Sequence, residues 1–170
     1  MKRKRDSKGF TLIELIISVV VLGLIVAMAA PQFDSIVPRL KFKSASRDLV
    51  SDMRLIRSLA IAQRAQYGIN FTNCFVEGFE EDSPDYYIVF KDNINLPALT
   101  FDGGDSVIKT VNIDPNLSIP SCSFTSYTII FKPDGSASST GNVSVKFNQR
   151  NELANINVLA STGRVKLTYP

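Results

Sequence analysis

Gly9-Phe10-Thr11-Leu12-Ile13-Glu14-Leu15-Ile16 is the stretch that decides how the rest of the chain reads. Before it, Met1–Lys8 holds five Lys/Arg and one Asp. After it, Leu15–Ala30 carries no charge, and the next ionisable side chain is Asp34. Phe10–Ala30 is 21 residues long, and Glu14 is the only ionisable group in it. As a helix it would extend about 31 Å, close to the hydrocarbon thickness of a bilayer. The basic flank is expected on the cytoplasmic side.

Glu14 needs an explanation. A carboxylate in a membrane helix costs roughly 2.5 kcal/mol or more, so it is expected to have a function and a partner. A cut after Gly9 would make Phe10 the new N-terminus and set its amine about one helical turn from Glu14. The amine of one copy could then neutralise Glu14 of a neighbouring copy. Two simpler readings stand beside this one. A secretory signal peptide also starts basic and then apolar, and Ala27-Met28-Ala29 fits an A-x-A cleavage site. Its apolar core, however, normally runs about 7–15 residues and holds no Glu. A plain single-pass anchor has no use for Glu14.

The run Lys8-Gly9-Phe10-Thr11-Leu12-Ile13-Glu14-Leu15 resembles the class III leader of type IV pilins and type II secretion pseudopilins. The resemblance implies that a prepilin peptidase cuts between Gly9 and Phe10 and methylates the Phe10 amine. It also implies that Glu14 guides subunit assembly. Pro31 falls where many such subunits carry a helix-softening proline.

The formal charge of +3 comes from the leader. Taking five cations and one Asp from 19 Lys/Arg and 16 Asp/Glu leaves 14 against 15. The remainder is not a polybasic nucleic-acid binder by bulk charge. The 170 residues suffice for one membrane helix and one small domain. Cys74 and Cys122 are the only cysteines, and there is no histidine. In an oxidising compartment a Cys74–Cys122 disulfide is plausible; the alternative is two unpaired buried thiols. Zinc is disfavoured by the ligand set, and no metal or cofactor is expected.

Phe10 to about Tyr67 reads as one long helix, interrupted or kinked between Ala30 and Arg39 by Pro31 and Pro38. Beyond Pro38 the pattern is amphipathic. Ala45, Leu49, Met53, Ile56 and Ala60 form a stripe widened by Val50 and Leu59, and Arg47, Arg54, Arg57 and Arg64 stand away from it. The apolar face is expected on a sheet; the Arg row, solvated or at a subunit contact. Asp48 and Asp52 among the Arg row weaken a DNA-binding reading of this helix. Tyr67-Gly68 is read as its end, with Gly68 as the cap. Strands are predicted at Ile69–Phe71, Phe75–Val76, Tyr86–Phe90, Val107–Ile113, Tyr127–Phe131, Val143–Phe147, Ile156–Leu159 and Arg164–Tyr169, with a turn at Lys132-Pro133-Asp134-Gly135. Glu77–Asp85 is an acidic loop lacking the ligand spacing of a calcium site. Asn93–Asp105, with Gly103-Gly104, resists assignment. One helix followed by such strands predicts an α+β domain with a mainly antiparallel sheet.

Met53–Ile61, Phe131-Lys132-Pro133-Asp134-Gly135 and Ser161-Thr162-Gly163-Arg164-Val165-Lys166 together resemble the H-type minor pseudopilin of type II secretion and the FimT-type minor pilin. The implied fold is type IV pilin-like. The expected organisation is a leader at 1–9, a transmembrane and assembly helix at 10–30, its amphipathic continuation at 31–67 and a β-rich domain at 68–170. The implied partners are prepilin peptidase, other pilin or pseudopilin subunits and the bacterial inner membrane. The domain would lie in the periplasm before the subunit joins a pilus or pseudopilus.

No catalytic constellation is present. Without histidine there is no Ser-His-Asp or Cys-His arrangement, and no phosphate-binding glycine motif occurs. The chain reads as a structural subunit and not an enzyme. Gly163-Arg164-Val165-Lys166 also resembles the G-R-x-R motif of DNA-binding FimT-type pilins, with Lys166 in place of Arg. Arg164 and Lys166 at alternate strand positions share a face and could contact phosphates, joined by Lys146 and Arg150 if that strand lies alongside. Lysine keeps the charge but loses the planar fork. Alternatively, Gly163 sets a tight turn and the cations keep a sheet edge soluble.

Overall fold

The computed structural model describes residues 9–72, 74, 85–93 and 100–170, without side chains at 29–35. Two compact units divide the chain, residues 1–38 and 39–170. One helix, α1, contributes to both and spans Leu12–Gln63, 52 residues.

The break expected at Pro31 and Pro38 does not occur: α1 runs through both prolines. Each proline removes one backbone donor from the ladder. In the first unit every described side chain from Gly9 to Met28 is exposed. Among the described residues no helix is long and apolar enough to cross a membrane.

The second unit holds the end of α1 and two antiparallel four-stranded sheets. Their strands are β1 (Gln66–Thr72), β2 (Tyr86–Asp92), β3 (Ser106–Asn112), β4 (Leu117–Cys122), β5 (Thr128–Phe131), β6 (Gly141–Phe147), β7 (Glu152–Leu159) and β8 (Arg164–Thr168). One sheet has the order β3-β2-β1-β5, the other β4-β6-β7-β8. The mainly antiparallel β-rich domain expected from sequence is thus built as two sheets.

A single core joins them. From α1 it takes Phe42, Leu49, Val50, Met53, Ile56 and Ala60, all buried, with Ala45 and Leu59 partly so. Ile69 and Phe71 of β1 and Val89 of β2 face it from one sheet, and Val145, Phe147, Ile156 and Val158 from the other. The stripe expected on the helix is the surface it buries. Asp52 of α1 accepts from Tyr87 Oη at 2.7 Å and pairs with Lys109 of β3 at 2.9 Å, fixing helix to sheet.

Gly68 does not cap the helix. Gln63 ends it, and Arg64 takes the left-handed turn at φ 51°. Gly68 lies inside β1, opposite Phe90 and Ile130. A Cβ there would stand 2.7 Å from Phe90 Cε1, so close ring packing requires glycine. β4 was not foreseen, because it contains Pro120. It is an edge strand, and its register with β6 shifts between Ser118 and Ser121, where a proline costs no ladder bond. Phe75–Val76 and Glu77, Glu80, Glu81 and Asp82 of the acidic loop lie outside the described residues. Among the described residues no cluster of metal-ligating side chains occurs.

Candidate functional site

The start of α1 is the first candidate. Gly9, Phe10 and Thr11 precede the helix, Phe10 is 81% exposed, and among the described residues beyond its chain neighbours nothing lies within 4 Å of where a Gly9 Cβ would be. The Glu14 backbone N–H donates to Thr11 Oγ1 at 3.3 Å, and the Leu15 N–H to the Thr11 carbonyl at 3.2 Å. Thr11 is therefore the N-cap, in the order T-x-x-E of a capping box. Glu14 lies in the first turn, where the helix dipole favours a carboxylate. The Gly9–Phe10 bond lies just outside this capped end. The sequence reading passed over Thr11, although the T-x-x-E spacing announces it.

Arg57 organises the second candidate. Its Nε donates to the Gly135 carbonyl at 3.0 Å. Gly163, buried at φ +59°, sits against the same group: a Cβ there would collide with Gly135 O and lie 2.9 Å from Arg57 Nε. Gly135 itself has φ +82°. The three short motifs Met53–Ile61, Phe131–Gly135 and Ser161–Lys166 thus converge on one packed junction. Arg57 is not in the solvated row where the helix pattern put it. Beside it, Arg54 Nη2 donates to the Val165 carbonyl of β8 at 3.5 Å.

Arg164 and Lys166 are exposed on one face of β8, on either side of buried Val165. They pair with Leu159 and Asn157 of β7 and line a groove of about 440 Å³ with Thr140, Asn142 and Asn157. Lys146 does not join them. It pairs with Leu153, four residues along β7 from Asn157 and two strands away from β8, roughly 17 Å from Lys166 by strand geometry. Arg150, in the turn between β6 and β7, lies at the opposite end of the sheet from Arg164. The outer face between is neutral: Ser121 donates to Ser144 at 2.9 Å and Ser144 to Asn155 at 2.7 Å.

Cys74 is buried and Cys122 half-buried, and both are free thiols. Both belong to one core cluster, Cys74 within it and Cys122 packed against it. Interaction with Cys74 draws the Cys122 thiol below its usual value, while interaction with Cys122 and burial push the Cys74 thiol up. Nearby, burial pushes up the Asp85 carboxyl, which accepts from the Ile119 N–H at 2.7 Å.

An exposed apolar helix start and a helix-backed antiparallel domain together define a type IV pilin-like subunit. The structure is similar to the type IV minor pilin FimU of Pseudomonas aeruginosa strain PAO1, with TM-score 0.53 and 14% identity, covering 75% of this chain and 96% of that one. A second crystal form of FimU gives TM-score 0.56 at 14% identity, covering 78% and 94%. The minor pseudopilin EpsH from the type 2 secretion system of Vibrio cholerae gives 0.55 at 12% identity, covering 76% and 98%. A search of curated proteins finds no match. Residues 4–30 match the prokaryotic N-terminal methylation motif, and residues 45–163 match the type II transport protein GspH. The chain belongs to the GspH family, whose members are structural filament subunits and not enzymes.

Proposed function

We propose that the chain is made as a precursor, cut between Gly9 and Phe10 by prepilin peptidase and methylated on the Phe10 amine. Phe10–Ala30 then holds it in the bacterial inner membrane, with the domain in the periplasm, until it enters a type II secretion pseudopilus or type IV pilus. The observation that carries this reading is the helix start. The bond to be cut lies in the open, just before a Thr11-capped helix whose first turn holds Glu14. Every described side chain from Leu12 to Met28 lacks cover within the chain. In a filament that cover comes from neighbouring helices, and Glu14 pairs with a neighbour's Phe10 amine.

The test is processing followed by assembly. Gly9→Ala should leave an unshifted precursor on a gel, and mass spectrometry of the wild type should begin at methylated Phe10. A product starting after Ala29 would sink the proposal in favour of a signal peptide. Glu14→Val should be cut normally but fail to enter the filament; normal entry would remove the charge-pairing step.

A second reading is DNA capture at a pilus tip. It draws on Arg164 and Lys166, exposed together over the groove that Asn142 and Asn157 line. Two phosphate contacts give a salt slope of only about −2, so binding would be weak and salt-sensitive. A gel shift with duplex DNA at low salt, lost in Arg164→Ala plus Lys166→Ala, supports it. No shift in the wild type leaves the structural role alone.

A further inference from the structure

Arg39, Lys43 and Arg47 follow one another at four-residue steps along α1, so they share one face of the helix over about 12 Å. Like charges at that spacing repel one another. Arg39 meets Glu152 at 3.5 Å, and both side chains are partly exposed. Among the described residues Lys43 and Arg47 have no partner, although Lys43 is half-buried. Arg54 and Arg57, further along α1, are by contrast held by carbonyls of the same chain. The three cations line a cavity of about 610 Å³ whose other walls include Phe42, Leu153 and Tyr169. Phe42 stacks on Phe147 with ring centroids 6.1 Å apart and packs edge-on with Tyr169 at the same separation, which fixes the apolar wall. The cavity belongs to the second unit and lies at the start of β7, at the opposite end of the sheet from Arg164.

We propose that this cavity docks an acidic segment of another filament subunit, one that carries carboxylates at one-turn spacing with an apolar side chain between them. The proposal rests on the assembly reading given above. Charge complementarity selects the occupant. Three cations against the single carboxylate of Glu152 leave a surplus of positive charge with nothing in the described chain to meet it. One carboxylate or one phosphate reaches only part of a 12 Å row, whereas carboxylates about 6 Å apart meet each cation in turn. An anionic lipid brings a single phosphate, and a nucleic-acid backbone brings several but no apolar group for the wall of Phe42, Leu153 and Tyr169. An apolar side chain seated there excludes water and strengthens the charge pairs beside it. The Arg39–Glu152 contact, at 3.5 Å and partly exposed, yields to a partner's carboxylate at little cost.

The test uses the full chain in detergent and two labelled synthetic helical peptides, one with Glu at every fourth position and Leu between, the other with Gln in place of Glu. In an anisotropy titration the Glu peptide should bind, and more weakly as salt rises. Lys43→Gln plus Arg47→Gln, which keeps both stems in place, should weaken it about tenfold or more. Arg164→Ala plus Lys166→Ala, at the far end of the sheet, should leave it unchanged. Equal binding of the Gln peptide, or of the Glu peptide by the Lys43 and Arg47 variant, overturns the proposal. So does tighter binding of phosphatidylglycerol vesicles or of duplex DNA that the same variant loses, which would give the cavity to lipid or to nucleic acid. In cells, Lys43→Glu plus Arg47→Glu should be cut after Gly9 like the wild type but enter filaments poorly, while Lys43→Arg enters normally. Wild-type entry of the charge-reversed chain overturns the docking site and leaves the assembly reading standing. A wild type that enters no filament overturns both the assembly reading and the subunit partner, whatever the peptides do.

Discussion

The two ends of α1 make the same local structure and meet opposite surroundings. From Leu12 to Met28 the helix is apolar around its circumference, and every side chain is exposed. From Phe42 to Ala60 it is apolar along one stripe, and that stripe is buried under two sheets. Periodicity marks the difference: a one-sided stripe fits a core supplied by the same chain, whereas an all-round apolar surface needs cover from outside. The chain thus separates stability from assembly along one helix.

The comparison breaks most readily at Met53 and Leu22. Met53→Ala should destabilise the domain by about 2–5 kcal/mol in chemical denaturation, since it opens a cavity in the core. Leu22→Ala should change the same measurement by less than about 0.5 kcal/mol while lowering incorporation into filaments. Similar losses from both would mean that the first half is covered within the chain after all. A disulfide between Cys74 and Cys122, if oxidation forms one, should stabilise the folded domain by about 4 kcal/mol, read as the difference between reducing and non-reducing denaturation curves; coincident curves would mean that no such bond forms. Next comes Gly163→Ala, at about 2–3 kcal/mol, because the new methyl meets the Gly135 carbonyl at a left-handed φ. That variant should still be processed at Gly9, since the junction belongs to the covered half.

The smallest effect concerns pH. The Asn116 backbone N–H at 3.0 Å and Lys41 at 2.9 Å hold the Asp114 carboxyl down at about 2 from its ordinary 3.8. A carboxyl depressed in the folded state contributes stability above its unfolded value, and that contribution is lost as pH falls from about 4 to about 2. At a surface pair it should be worth under about 1 kcal/mol. Acid titration of Asp114→Asn should lack that part of the slope; an unchanged curve would remove the assignment.

Local pattern made much of this legible in the sequence. The apolar run, the leader motif and the α1 stripe need only near neighbours to be read, and most strands followed from β-rich runs between turns. What failed depended on contacts distant in sequence. Gly68 looks like a cap until Phe90 is known to lie over it. Pro120 argues against a strand until β4 is known to be an edge. Lys146 seemed able to join Lys166 only because alternation fixes the face of a residue and not its height on the sheet. Helical periodicity put Arg57 in the solvated row, since its partners lie 78 and 106 residues further on.

The outermost strands of the second sheet invite a closing point. β4 carries Pro120 and an offset in its pairing, and β8 has Arg54 against one of its carbonyls. Both rims are thereby blunted against adding a foreign strand. A molecule built to polymerise has a particular need for this, because copies crowded side by side could otherwise fuse through their backbones. Blunting those rims keeps the second sheet out of such fusion.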